Sequence, residues 1–274
     1  MKNLFLYIFL FLFLLPIGSA FAQLTVTQGA TMGLTPLQLV QSQLVGQGIT
    51  VSNATFNGSS AIINSDQIGY FTTSGPAMIQ LGIEAGVLLT SGKASNAIGP
   101  NNSPGMGSST IYADDPDLNI VATITTNDKC VLEFDFVPQA DTLKFNYVFG
   151  SEEFYEYCYS FNDAFGFFVS GPNPYGGNYT SLNIALIPGT SVPVTINNVN
   201  SGSYPAYYVD NQGLNGQTIV YDGFTTVLTA WCLVIPCIPY HIKLAVGDAG
   251  DYSYDSSVFS TEPFLLLLRF IRMG

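Results

Sequence analysis

Basic residues are scarce in this chain. Seven Lys and Arg stand against 19 Asp and Glu, for a formal net charge of -12. Nucleic acid is therefore excluded as a partner, because it requires Lys and Arg in patches. Anionic membrane surfaces are excluded on the same ground, whereas cations suit the charge. Charge of either sign is low at 9%, yet Gly, Tyr and Phe number 27, 16 and 20, which separates the chain from disordered acidic tails. His241 is the only histidine. No G-x-S-x-G, H-E-x-x-H, P-loop or helix-opening G-x-G-x-x-G occurs, so the common enzyme signatures are missing. Apolar runs long enough to span a bilayer, which takes about 20 residues, are also lacking.

The apolar run that does exist is short and N-terminal. Lys2 precedes Leu4–Leu15, Pro16 and Gly18 break the run, and Ala20, Phe21 and Ala22 form a small-residue cleavage site. This pattern predicts a signal peptide over residues 1–22 and an exported mature chain with no transmembrane helix after cleavage. The expected location is secreted, extracellular or on the outer cell surface. Four cysteines, Cys130, Cys158, Cys232 and Cys237, are then disulfide candidates. Three pairings are open, with free buried thiols as the alternative. Their wide spacing does not suit zinc.

Strand and turn dominate the rest. Leu132, Phe134 and Phe136 alternate with Glu133 and Asp135; Leu143, Phe145, Tyr147 and Phe149 alternate with Lys144 and Asn146. Tyr240, Ile242, Leu244 and Val246 repeat the pattern. A period of two gives one inward and one solvated face. Shorter runs lie at Ile49–Phe56, Val87–Thr90, Phe165–Ser170, Ile184–Ile187, Val192–Ile196, Thr218–Tyr221 and Phe224–Ala230. The expected fold is all-β, an antiparallel β-sandwich or jelly roll. One short helix is expected near Thr35, where T-x-x-Q makes a capping box with Gln38 and Pro36 suits the first position.

Acidic residues gather where strands end. Glu152, Glu153 and Asp163 belong to one turn region, and Asp248, Asp251 and Asp255 to another. Such oxygen-rich turns suit Ca2+, which takes six to eight oxygens in flexible geometry. The spacing matches no EF-hand, and solvated Asx turns are the alternative. Asp114, Asp115 and Asp117 are expected to form a solvated loop, and His241 to sit mid-strand as a solvent-facing or hydrogen-bonded residue. Tyr204, Tyr207, Tyr208, Tyr175 and Tyr179, in Gly- and Asn-rich loops, can meet sugars or protein surfaces or pack the loops down.

Several segments carry a family likeness: GVLLTSGKASNAIGPN (Gly86–Asn101), LEFDFVPQADTLKFNYVFGSEEF (Leu132–Phe154), FNDAFGFFVSGPNP (Phe161–Pro174) and YHIKLAVGDAGDYSYDSSVF (Tyr240–Phe259). With them the chain resembles the choice-of-anchor L domain of secreted and surface proteins, common in Bacteroidota. The resemblance implies an exported surface or adhesin-like module and brings no catalytic residues with it. The β domain is expected over residues 23–260. Residues 261–274, with the run Phe264–Leu268, depart from the pattern and read as an atypical tail, truncated or frameshifted, or as a last strand. The expected function is a non-enzymatic cell-surface module for adhesion or extracellular recognition, meeting an unidentified protein or glycan surface. A carbohydrate-active module, lectin-like or hydrolytic, is the alternative. The mature N-terminus is expected at Gln23, and intact-mass measurement of the exported protein checks it; a protein still carrying residues 1–22 would refute the leader.

Overall fold

Side chains that alternate at a period of two pair here into two antiparallel sheets facing one another. A computed structural model describes residues 24–46, 49–103, 105–110, 113–212 and 218–261; the expected leader and the Phe264–Leu268 run lie outside them. In chain order the elements are β1 (Leu24–Gln28), α1 (Gly29–Met32), α2 (Pro36–Gln43), β2 (Thr50–Phe56), β3 (Ile68–Thr73), α3 (Pro76–Leu81), β4 (Ala85–Thr90) and α4 (Pro116–Ala122). They continue with β5 (Thr126–Val137), β6 (Thr142–Ser151), β7 (Ala164–Pro172), β8 (Asn178–Asn183), β9 (Tyr208–Asp210), β10 (Gly223–Thr225), β11 (Leu228–Leu233), β12 (Tyr240–Ala249) and β13 (Ser256–Thr261). One sheet runs β1-β3-β4-β13-β6-β10-β9, with β11 also on β6; the other runs β2-β5-β12-β7-β8. The all-β sandwich expected from the sequence is the fold observed.

Aromatic side chains join the layers. From β6, Phe145 meets Phe167 of β7 at 4.5 Å between ring centroids, and Tyr147 and Phe149 meet Phe165 at 5.0 and 4.9 Å. All five are buried, and such pairs add about 0.5–1.5 kcal/mol each beyond area burial. Helix α2 begins with the capping box: the Thr35 side chain accepts from the Gln38 backbone N–H, and Gln38 Oε1 accepts from the Thr35 N–H at 2.9 Å.

The outer face of the second sheet is not solvated throughout. Leu118, Val121 and Ala122 of α4 cover Val131, Phe168 and Ala245. Asp115 caps this helix, accepting from the Asp117 and Leu118 N–H groups. Lys243 Nζ of β12 lies 2.9 Å from Asp115 Oδ1 and 2.5 Å from Asp117 Oδ2. The expected solvated loop at Asp114, Asp115 and Asp117 is thus corrected: Asp115 is a buried cap and counter-ion. His241 holds the expected place in β12, its Nδ1 2.8 Å from Asp135 Oδ1.

Two other expectations change. Ile184–Ile187, Val192–Ile196 and Thr218–Tyr221 are not strands; they make single bridges, Leu186 with Pro193, Ala164 with Thr195 and Ile98 with Ile219. Most of their apolar side chains, Ile184, Ile187, Val194, Ile196, Ile219 and Val220 among them, are buried in the core, and Pro193 has no N–H for a ladder. The expected disulfides are not formed: Cys130, Cys158, Cys232 and Cys237 are free. Cys130 sits wholly buried in β5, its thiol donating to the Gln67 carbonyl at 3.3 Å, while Cys158 lies in the loop after β6 and donates to the Ile196 carbonyl at 3.8 Å.

Removing one ring from the aromatic stack tests its weight. Phe167→Ala is expected to destabilise the fold by about 3–5 kcal/mol, read as a lower denaturant midpoint at an unchanged slope. A loss under about 1 kcal/mol would show that the layers are joined elsewhere.

Candidate functional site

Strand register delivers the acidic turns to one end of the sandwich. Ser151, the last residue of β6, faces Ser256, the first of β13. Ala164, the first of β7, faces Gly247 of β12. Glu152 and Glu153 therefore leave one sheet where Asp255 enters it, and Asp163 enters the other beside Asp248. All five are at most 1% exposed. Asp251 is the exception among the six candidates: it is half-buried at the rim, with Oδ1 accepting from the Ser253 N–H at 3.0 Å. A residue outside the sequence-derived set, Asp128 of β5, is fully buried with them.

Hydrogen bonds hold part of this cluster. Asp163 Oδ1 accepts from the Ala249 N–H at 2.8 Å and Oδ2 from the Ser256 hydroxyl at 2.7 Å. Asp255 accepts from the Ser108 N–H at 2.7 Å and from Asn96 Nδ2 at 2.9 Å. A Cβ built on Gly92 would lie 2.0 Å from Asp255 Oδ2, so the loop after β4 needs a glycine to close over this carboxylate. Six further oxygens are orphans. Both oxygens of Glu152, both of Glu153, Asp248 Oδ1 and Asp128 Oδ2 are buried without a hydrogen-bond partner. Among the described residues the ion pairs engage Asp115, Asp117, Glu133 and Asp135, and none reaches the cluster. Also among the described residues, no three His, Cys, Asp or Glu side chains are assembled as a ready metal-ligand set.

Electrostatics follow from this burial. Glu152 is pushed up to about 9, by burial first and then by the charge of Asp222; the Met106 backbone draws it back in part, at a geometry that completes no hydrogen bond, and the charges of Asp255 and Glu156 add smaller rises. Glu153 is raised by burial and then by Asp163 and Asp251. Asp163 and Asp248 are raised by burial, which outweighs the hydrogen bonds Asp163 accepts from Ser256 and Ala249 and the Ser91 hydroxyl beside Asp248. Asp255 reaches about 6 because burial outweighs Asn96 and the Ser108 amide. Each raised carboxyl holds its proton longer in the folded state, so its contribution to stability is complete below about pH 4 and is lost as pH climbs through the folded value.

Glu133 and Asp135 on the outer face run the other way. His241 pulls Glu133 below its ordinary range from 3.7 Å, a distance that makes an ion pair and not a hydrogen bond. For Asp135, burial acts upward, and the hydrogen bonds from Asn53 and His241 outweigh it. In EDTA-treated solution the thermal midpoint is therefore expected to peak at about pH 4–5 and to fall by several degrees through pH 6 to 9. A midpoint that stays level across that range would show the acids to be compensated.

The same loop that carries Glu152 and Glu153 also presents tyrosines. Tyr155 and Tyr159 have left-handed backbone, φ +82 and +72, and are 65% and 70% exposed. With Cys158, Asn200, Gly202 and Tyr208 they line a cavity of about 170 Å³. Tyr204, φ +47 and 39% exposed, stands beside it in sequence on the 200–204 turn. Tyr157 stacks on Tyr254 at 5.0 Å and ties the loop to the β12–β13 turn. Of the other candidate tyrosines, Tyr175 is exposed, whereas Tyr179, Tyr207 and Tyr208 pack against the core. No sequence pattern singles out Tyr155 and Tyr159; only their backbone angle and exposure mark them.

No curated protein and no solved structure matches the chain significantly. No helix among the described residues is long and apolar enough to cross a membrane. The family profile of the choice-of-anchor L domain matches residues 25–262, a span that includes both sheets and the acidic end. The chain belongs to the choice-of-anchor L family, whose domains are exported, surface-associated modules.

Proposed function

We propose that this domain is a non-enzymatic module for adhesion or extracellular recognition, and that the tyrosine rim beside the acidic end meets the ligand. The observation that carries the reading is the pairing of strain with exposure at Tyr155 and Tyr159. A bulky residue with positive φ costs about 1–3 kcal/mol and persists where the surroundings enforce it, often at binding sites. An exposed tyrosine gains little from packing, and it offers a ligand an apolar face and a polar tip at low entropic cost. Asn200 beneath the rings is buried and spends its amide on the turn itself, donating to the Ile196 and Asn197 carbonyls and accepting from the Gly202 and Ser203 N–H groups, so it fixes the floor of the rim. Such a rim suits an extracellular protein loop or a surface glycan.

The second reading is a carbohydrate-active module. Its lectin-like form draws on the same tyrosines. Its hydrolytic form needs two carboxyls about 5–10 Å apart across an open cleft, and the burial of Glu152 and Glu153 counts against it.

Tyr155→Gly with Tyr159→Gly separates binding from folding. Glycine accepts positive φ without strain, so the thermal midpoint is expected to hold or rise while adhesion to cells and retention on a glycan array fall at least about tenfold, a loss of about 1.4 kcal/mol. Unchanged adhesion and array binding in the double variant would place the ligand elsewhere. Turnover in a glycosidase panel would favour the hydrolytic reading.

A further inference from the structure

Apart from the tyrosine rim, the buried end of the sandwich holds more negative groups than the described residues neutralise. Glu152, Glu153, Asp163, Asp248, Asp255 and Asp128 come from β5, β12, the loop after β6 and the segments before β7 and β13, and no ion pair among the described residues reaches them. Lys243, the buried cation nearest in chain order to Asp248, is committed to Asp115 and Asp117 on the outer face. Carboxylates crowded in a low-dielectric interior repel and lose hydration together.

Protonation answers only half of this. It removes a charge, but it leaves an O–H that needs an acceptor. Neither oxygen of Glu153 makes a hydrogen bond, and the same holds for Glu152. Asp248 Oδ1 and Asp128 Oδ2 are likewise unpartnered. Burying such groups without partners costs about 1–3 kcal/mol each, and more when charged. A cation satisfies charge and lone pairs at once.

We propose that Glu153, Asp163 and Asp248 bind a calcium ion at this end of the sandwich, with Asp128 and Glu152 supplying further negative charge around it. Asp163 is the pivot. Its two oxygens are oriented by Ala249, next to Asp248 in β12, and by Ser256, next to Asp255. Its carboxylate keeps free lone pairs beyond those two bonds. Glu153 starts from a backbone fixed by its N–H bond to the Ser151 hydroxyl at 2.9 Å, and its long side chain can swing to the ion. The donors are all oxygen, which selects a hard cation over zinc or copper. Carboxylates from separate loops suit the flexible six- to eight-oxygen shell of Ca2+ better than the strict octahedron of Mg2+.

Calorimetric titration of the EGTA-treated mature chain with CaCl2 tests this directly. One saturable site is expected, accompanied by a rise of about 5–10 °C in the thermal midpoint at a hundredfold excess over Kd. MgCl2 at the same concentration is expected to move the midpoint far less. Glu153→Gln with Asp248→Asn is expected to raise the EGTA midpoint and to abolish the calcium response. No heat and no midpoint shift up to about 10 mM CaCl2, beyond the range of extracellular sites, would overturn the proposal. So would a response that survives the double substitution or is equalled by magnesium. If the double variant fails to fold, the wild-type titration still decides.

Discussion

Carboxylates sealed from water, with no basic partner among the described residues, are the constraint around which this end of the molecule is built. A buried acid must carry a proton, find donors or meet a cation. Asp163 and Asp255 find donors in Ser256, Ala249, Ser108 and Asn96. Glu152 and Glu153 find none. The neighbouring loops then take their shape from the acids, with Gly92 closing over Asp255 and Gln67 tying the Ser91 and Asp128 carbonyls together at 3.0 Å each. The outer face of the second sheet handles charge differently. There Lys243 and His241 sit opposite their acids, and pairing replaces repulsion.

The sandwich makes such a costly end tolerable. Phe145, Tyr147, Phe149, Phe165 and Phe167 interlock the two sheets a few residues from the acids, and α4 buries the far side of β12. With β6 and β12 held in register by neighbours on both edges, the residues just past their ends cannot drift apart to relieve repulsion. The strained tyrosines lie on the same loop as Glu152 and Glu153. Tyr157 on Tyr254 links that loop to the β12–β13 turn.

Much of this is legible in the sequence. Alternation in β5, β6 and β12 reveals the inward faces, because a half-buried strand writes its two environments at a period of two. Thr35 and Gln38 announce α2 through local hydrogen bonding alone. Acids at strand ends point to the right turns, and Glu152, Glu153, Asp163, Asp248 and Asp255 do converge on one end. What stays hidden depends on distant partners. Asp115 reads as one more loop acid until Lys243, far along the chain, is placed beside it. Asp128 lies at the start of a strand whose register with β12 no local pattern encodes. Part of the burial arises from residues 91–96 and 105–110, whose Gly92, Asn96 and Ser108 close on Asp255, and these stretches have no periodicity to betray their position. Ile184–Ile187 and Thr218–Tyr221 mislead for a related reason: buried loops can be as apolar as strands.

Infrared difference spectroscopy of the carboxyl groups reads the central claim without relying on stability or binding. At neutral pH in EGTA the account predicts a protonated-carboxyl band from Glu152 and Glu153 that shrinks in the Glu152→Gln and Glu153→Gln variants and gives way to a carboxylate band when CaCl2 is added. A wild-type spectrum with no protonated carboxyl at neutral pH and no response to calcium would contradict it, because the buried acids would then be neutralised by neither proton nor cation.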